Sequence, residues 1–410
     1  MTMAAKGVFR SLRLFNYRVW AAGSLVSNIG TWMQRTAQDW LVLTQLTHHN
    51  ASAVGIVMAL QFGPQLLLLP WTGFAADHFN QRKLLMATQA TMGTLAILLG
   101  ILTVTSVVQL WHVYIFAFLF GCVSAFDAPV RQTFVAELVG DADLSNAVAL
   151  NSTSFNAARM VGPAIAGLTI ASIGTGWAFM VNGVSFIAVL ISLSLFRTHE
   201  LHPNARAHRK RGSFTEGFRY VWNRPDLKAS MIMLFLIGTF GLNYPIFLST
   251  MAVGVFHTDA RGYGMLSTFM AMGTISGALM AAGRERPRFN LMIVGSAVFG
   301  IGGVLAALAP NYWLFAASLI IIGVAALTFM NTSSSLMQLS TEPAMRGRVM
   351  ALRVGVALGG TPIGAPIVGW IADNFGPRWS MGVGAASGFL AAIVGIYALM
   401  QQKKNPRQII

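Results

Sequence analysis

The sequence predicts an all-α polytopic membrane protein with twelve transmembrane helices in two pseudo-symmetric six-helix bundles. Three observations lead there. The 410 residues are 55% hydrophobic and only 10% charged, against about 25% charge in a soluble chain. The charges cluster, leaving Trp40–Ala76, Leu84–Phe126, Met160–Phe196, Ala229–Thr258 and Phe289–Thr341 free of Lys, Arg, Asp and Glu. Since about 20 apolar residues span a bilayer as a helix, the longer windows each hold a helical hairpin. Finally, ALNSTSFNAARMVGPAIAG at Ala149–Gly167 returns as ALRVGVALGGTPIGAPIVG at Ala351–Gly369. Without a gap Gly162 falls on Gly364, Gly167 on Gly369, Gly174 on Gly376 and Trp177 on Trp379. A match near half the chain length marks two related halves.

Charge-free length and turn residues place spans 1 to 6 at Tyr17–Leu43, Ser52–Phe74, Leu84–Ser106, Trp111–Val130, Asn146–Ile173 and Trp177–Phe196. Spans 7 to 12 follow at Ala229–Val253, Tyr263–Ala282, Leu291–Ala309, Trp313–Ser334, Val349–Ala372 and Met381–Met400. The domains expected are a first bundle over 1–196, a basic cytoplasmic linker over 197–228 and a second bundle over 229–410. Within the linker, FTEGFRYVW fits a short helix on the membrane surface. Nothing remains for a soluble domain.

The net charge of +15 is distributed by side of the membrane. Nearly all Lys and Arg lie in alternate loops, with only Arg261 and Arg378 between them. This asymmetry predicts both termini in the cytoplasm and a multi-pass protein of a bacterial-type inner membrane. It excludes a nucleic-acid surface, which needs basic residues on one folded face with aromatics among them. The single cysteine, Cys122, excludes disulfides and Cys-based metal sites. The basic, then apolar amino terminus lacks a small-residue cleavage site and is expected to stay as the first span. No lysine follows a glycine anywhere, so the nucleotide-binding Gly-x-x-x-x-Gly-Lys loop is missing.

Ionised groups within a bilayer are expensive unless paired or facing water. In span 1, Ser24, Asn28, Thr31, Arg35 and Gln38/Asp39 recur at steps of three or four, which puts them on one face. In span 5, Ser152, Asn156 and Arg159 do the same. Two such stripes imply a shared hydrated cavity. At 1.5 Å per residue, Arg35 and Arg159 lie roughly 20–27 Å from the cytoplasmic ends of their helices. Arg35 and Asp39 are either a self-neutralising i,i+4 pair or, with Asp39 as proton carrier, part of a coupling site. Arg159 has no acid in its own span and must find Asp39, backbone carbonyls or an anionic ligand. The substrate and proton site is therefore expected at Arg35, Asp39, Arg159, Asn28, Gln38 and Asn156.

Between spans 2 and 3, GFAADHFNQRK at Gly73–Lys83 forms a tight charged hairpin, with Asn80 suited to a left-handed turn position. It resembles the loop signature of the major facilitator superfamily, matching at Gly73, Ala76, Asp77 and Arg82. The resemblance implies that the aspartate meets the amino end of span 11 and that an arginine pairs with an acid at the end of span 4. Asp127 holds the acid's place, and Arg82 or Arg131 takes the arginine's, because Gln81 stands at the usual position. In span 5, Gly162-Pro163-Ala-Ile-Ala166-Gly167 is similar to the GPxxGG signature of the exporting, proton-antiport branches. It is expected to bend span 5 and let it approach Gly273-x-x-x-Gly277 of span 8. The segments FDAPVRQTFVAELVGDADLSNAVALNS and STEPAMRGRVMALR resemble the siderophore- and drug-exporting branch, with enterobactin-exporter-like and macrolide-efflux-like members. The arginine that branch often carries in span 4 is replaced by Ala117. A second imitation of the hairpin, GWIADNFGPR at Gly369–Arg378, falls outside by span counting, and Asp373 receives no gating role.

The function expected is a monomeric secondary active exporter working by alternating access on an amphiphilic small molecule, with a proton as coupling ion and no other cofactor and no metal. The two midplane arginines suit an anionic group on that molecule. Uptake, or a ligand-binding receptor or scaffold of the same fold, are the alternatives. An enzyme would need converging catalytic groups at membrane depth, and the spans offer only Asp39 and Asp127 as acids.

Overall fold

A computed structural model describes residues 9–202, 214–282 and 288–404. Those residues form helices and no strand. The chain divides into two compact units, one of Met1–Leu46 with Gly63–His208, the other of Thr47–Phe62 with Arg209–Ile410. Eight helices among the described residues are long and apolar enough to cross a bilayer. They coincide with spans 3, 4, 6, 7, 9, 10, 11 and 12.

The helices from the amino end are α1 (Phe15–Leu41), α2 (Ala51–Leu67), α3 (Leu69–His78), α4 (Gln81–Val104), α5 (Leu110–Ile173) and α6 (Thr175–Ser194). Span 2 is divided between α2 and α3, with Pro64 inside α2 and a proline opening α3. Each proline removes one backbone donor, and its ring cannot sit beneath a continuous helical turn. Asn80 is the N-cap of α4, extended at φ −66° and ψ 115°, with its side chain accepting from Lys83 N at 3.0 Å. It does not adopt the left-handed turn expected of it, because capping satisfies an orphan amide that a left-handed residue would leave bare. The cytoplasmic loop expected between spans 4 and 5 is helical too. α5 runs through it, broken only at Gly140 with φ 67° and ψ −179°, a region open to glycine alone.

In the first unit α1 packs on α5 and α6, and α4 packs on α6. Trp20, Leu85, Phe134, Leu193 and Phe196 fill its larger apolar cluster. Trp20 meets Phe134 edge-on with centroids 5.6 Å apart. At the end where the chain enters, Asn16 exchanges two hydrogen bonds with the backbone of Arg197, at 3.0 and 2.9 Å. Tyr17 donates to Ala147 O at 2.8 Å.

The second unit holds α7 (Phe214–Asn223), α8 (Pro225–Leu236), α9 (Tyr244–Gly254), α10 (Ala260–Ala282), α11 (Phe289–Leu308) and α12 (Tyr312–Ser340). It closes with α13 (Pro343–Gly359), α14 (Thr361–Phe375) and α15 (Pro377–Lys404). α7 is the short helix expected from FTEGFRYVW, with Phe218 stacked on Trp222 at 5.1 Å and both rings exposed. The rest of the basic linker, residues 203–213, lies outside the described residues. Span 7 is divided into α8 and α9 by a π-turn, Ile237–Gly241. Gly273 and Gly277 of α10 lie against the carbonyls of Ile320 and Val324 of α12. The small-residue face of span 8 lies against α12 in the second unit, and Gly162 lies against α1 in the first.

The internal repeat is visible in the backbone. Gly174 and Gly376, paired by the sequence match, have φ/ψ of 95°/164° and 99°/161°. Each ends one helix one residue before the next begins. Gly162 and its counterpart Gly364 also act alike. The first meets α1 at Trp32, and the second meets the span 7 turn at Thr239.

Gly174 and Gly376 have open space around the position of a Cβ, so a substitution there is limited by backbone strain alone. Gly174→Ala and Gly376→Ala are each expected to destabilise the protein by about 1–3 kcal/mol. Thermal unfolding in detergent tests this, and equal melting points for the variants and the parent chain would contradict it.

Candidate functional site

The polar stripe of α1 divides into two sites within the first unit. The lower one is built around Asp127 of α5, a buried carboxylate at 5% exposure. Arg131, one turn on, pairs with its Oδ2 at 3.1 Å. On Oδ1 it accepts from Thr88 Oγ1 at 2.8 Å and Gln89 Nε2 at 2.6 Å, both of α4. Arg131 Nη1 reaches Asn28 Oδ1 at 3.2 Å and Ser24 Oγ at 3.4 Å on α1. Its guanidinium also lies 5.6 Å from the Trp20 ring centroid. Three helices are therefore joined by one charge pair that also bonds to four uncharged side chains. That is the condition under which a buried ion pair is tolerated.

Arg131 thus takes the arginine position next to Asp127 that the loop signature left open. Arg82 does something else, donating from Nε to the carbonyl of Leu193 at 2.8 Å, where α6 is about to end. A cation near the last carbonyls of a helix is favoured by their unpaired acceptors and by the helix dipole. Gly73 and Asp77 lie in α3, and their side chains fall outside the described residues.

The upper site is organised by Trp32. Its indole receives Arg35 of the same helix, with Cζ 5.0 Å from the ring centroid, and Arg159 of α5 at 5.4 Å. Phe155 meets the same indole edge-on at 5.9 Å. Gly162 makes this possible. A Cβ on it would stand 2.5 Å from Trp32 Cβ and 3.1 Å from Ile29 O, so only glycine lets α5 approach closely enough for Arg159 to reach the ring. Pro163 and Gly167 continue the motif along the same helix. Two cations at one ring are each attracted by about 0.5–2 kcal/mol, while they repel one another.

Asp39 lies one turn beyond Arg35 at 3% exposure. Its Oδ1 and the neighbouring Gln38 Nε2 are buried without hydrogen-bond partners. A buried acceptor and a buried donor, each unmet, are costly in apolar surroundings. Asn28, expected at this upper site, belongs to the lower one through Arg131. Asn156 is exposed and turns its amide back to Ser152 O at 2.9 Å, away from the Arg35–Trp32–Arg159 group. The residue that sequence reasoning undervalued is Trp32. Its signal was present, since it stands at i−3 from Arg35, but a tryptophan in a span fits a lipid-facing position equally well. Arg353, within span 11, is buried at 8% exposure and donates to Met330 O at 2.8 Å. No group of three or more His, Cys, Asp or Glu among the described residues is placed to hold a metal.

If the Asp127–Arg131 pair holds α1, α4 and α5 together, Arg131→Gln should cost about 3–5 kcal/mol, because it strands a buried carboxylate. The double variant Asp127→Asn/Arg131→Gln should recover most of that loss. Unfolding in detergent compares the three chains, and a double variant no better than the single one would refute the pairing.

Residues 6–408 match the family model described as "Transmembrane secretion effector". The chain is 27% identical over 360 residues to the staphyloferrin A transporter of Staphylococcus aureus, covering 87% of this chain and 89% of that one. It is 25% identical over 368 residues to the multidrug efflux pump Tap of Mycolicibacterium fortuitum, covering 86% and 88%. It is 24% identical over 373 residues to the enterobactin exporter EntS of Shigella boydii, covering 88% and 85%. Among solved structures, a bacterial homolog of the human lysosomal transporter Spinster, inward-facing and unoccupied, superposes with a TM-score of 0.74 at 16% identity over 94% of this chain and 97% of that one. The nucleoside transporter NupG gives 0.72 at 12% identity over 94% and 99%. With a helical frame shared with these transporters and a family model spanning nearly its whole length, the chain belongs to the transmembrane secretion effector family of the major facilitator superfamily, and it is a membrane transporter and not an enzyme.

Proposed function

We propose that this transporter is an alternating-access exporter of an amphiphilic small molecule bearing an anionic group, driven by proton antiport. It works as a monomer of twelve spans in a bacterial inner membrane, with both termini in the cytoplasm. The observation that carries the substrate class is the convergence of Arg35 and Arg159 on Trp32. Their mutual repulsion falls when an anion approaches, and Trp32 with Phe155 offers aromatic surface to the apolar part of the same molecule. Relatives named as a siderophore transporter, a siderophore exporter and a multidrug pump support this class of cargo and, in two of the three, the outward direction.

Asp39 is the proton carrier in this reading. It is the acid nearest in sequence to the arginine pair, and its Oδ1 has no donor. Cargo leaving the arginines and a proton arriving at Asp39 are then alternative ways of balancing the same group of charges, which is the physical content of antiport.

Reconstituted liposomes separate the two roles. Arg159→Gln is expected to weaken apparent affinity for an anionic siderophore or acidic drug by about 10- to 100-fold, the scale of a lost charge-assisted hydrogen bond, and to affect an uncharged analogue far less. Equal loss for both cargoes would refute the anion reading. Asp39→Asn is expected to abolish uptake driven by a pH jump while cargo-for-cargo exchange continues. A pH-jump rate equal to that of the parent chain would remove Asp39 from coupling.

A further inference from the structure

A single residue, Arg224, separates α7 from the membrane-crossing helix Pro225–Gly254. One face of α7 is spent on its own unit. A Cβ on Gly217 would lie 3.1 Å from Arg348 Cβ of α13, and Tyr220 Oη accepts from Glu342 N at 3.4 Å. Val221 is buried in the apolar cluster of that unit. Helical period turns Phe218, Arg219 and Trp222 away from this face, and all three are exposed. The rings of Phe218 and Trp222 stack on one another, yet they remain 47% and 49% exposed. Water is an unfavourable neighbour for that much aromatic surface.

Lys228 fixes the height of this surface. It stands in the first turn of α8, and its Nζ lies 4.5 Å from the Trp222 ring centroid. The ring is therefore level with the point where the chain enters the bilayer, the depth at which tryptophan is favoured. Charge is distributed unevenly around it. Arg224 pairs with Asp226 and Arg348 with Glu216, each at 2.9 Å. Glu342 stands beside Arg224 as well. Among the described residues, Arg219 and Lys228 have no acid partner. Arg219 precedes Trp222 by three positions and so neighbours it on the helix surface. Two unpaired cations thus flank an aromatic stack at the bilayer surface.

We propose that the outer face of α7, with Lys228, is a binding site for an anionic phospholipid of the leaflet on which α7 lies. Such a lipid supplies both things the site needs at this depth. Its phosphate and headgroup meet Arg219 and Lys228, and the first carbons of its chains cover Phe218 and Trp222. A zwitterionic lipid brings its own cation to the same place and gains less. The site is separate from the Arg35–Trp32–Arg159 group and requires no assumption about cargo or coupling.

The test uses the full chain in nanodiscs of phosphatidylcholine with increasing phosphatidylglycerol. Cys122→Ser removes the one native thiol, and Asn223→Cys carries an environment-sensitive fluorophore at the exposed end of α7. The emission change should saturate with phosphatidylglycerol. Arg219→Gln and Lys228→Gln should each raise the half-saturating fraction by about fivefold, the scale on which one basic residue attracts an anionic surface. Arg13→Gln removes the same charge from an exposed position in the first unit and should leave that fraction unchanged. No response to phosphatidylglycerol, unshifted Gln variants, or an equal shift with Arg13→Gln overturns the site. Lys228→Arg separates charge from folding, since it keeps the cation. Half-saturation equal to that of the parent chain supports the site, and a value equal to that of Lys228→Gln overturns it.

Discussion

An ionised side chain within a bilayer can be neutralised only by groups that the protein itself supplies, and this constraint orders the first unit. Asp127 and Arg131 meet it with each other and with Thr88, Gln89, Asn28 and Ser24. Such a network ties three helices together. Asp39 meets the constraint incompletely, with Oδ1 bare, as is Gln38 Nε2. A buried polar network that is filled makes its members rigid, and a group left unfilled in it is costly. The two groups on α1, about two turns apart, differ in this respect.

Glycine is the means by which these charges are brought together. Helices in a bilayer gain little from hiding apolar surface, since lipid is as apolar as leucine, so close contact rests on dispersion and on backbone approach. Gly162 sets the distance between α5 and α1 and so decides that Arg159 reaches Trp32. Gly55 and Gly369 set the distance between α2 and α14 and bring Asp373 to the start of α2. The motif residues that read as packing elements are, through this geometry, determinants of where charge sits.

Much of the frame was legible in the sequence because hydropathy and the repeat are backbone-scale signals. The charge-free windows correspond to helices, and the match of Gly174 with Gly376 foretold two turns of the same unusual φ and ψ. The stripes on spans 1 and 5 identified Arg35, Asp39 and Arg159 from helical period alone. Period does not say which neighbour a stripe faces, however. Asn28 shares its face with Arg35 yet bonds to Arg131, and Gly273 lies against Ile320 of α12. Asp373 was set aside because its surroundings imitate a signature on the wrong side. Its partners are backbone amides more than 300 positions away, which carry no residue signal.

The repeat also shows where the two halves part company. Over the ungapped match, the glycines and the turn are kept, but Ser152, Asn156 and Arg159 face Val354, Leu358 and Thr361 in the second copy. The cluster that fills the second unit includes Met233, Met292 and Met337, unbranched side chains that tolerate small shifts in packing. A frame duplicated with its glycines intact preserves the same helix approach on both sides. The polar stripe of Ser152, Asn156 and Arg159 is kept in only one copy, so the repeat preserves the approach of helices and not the charge carried on them.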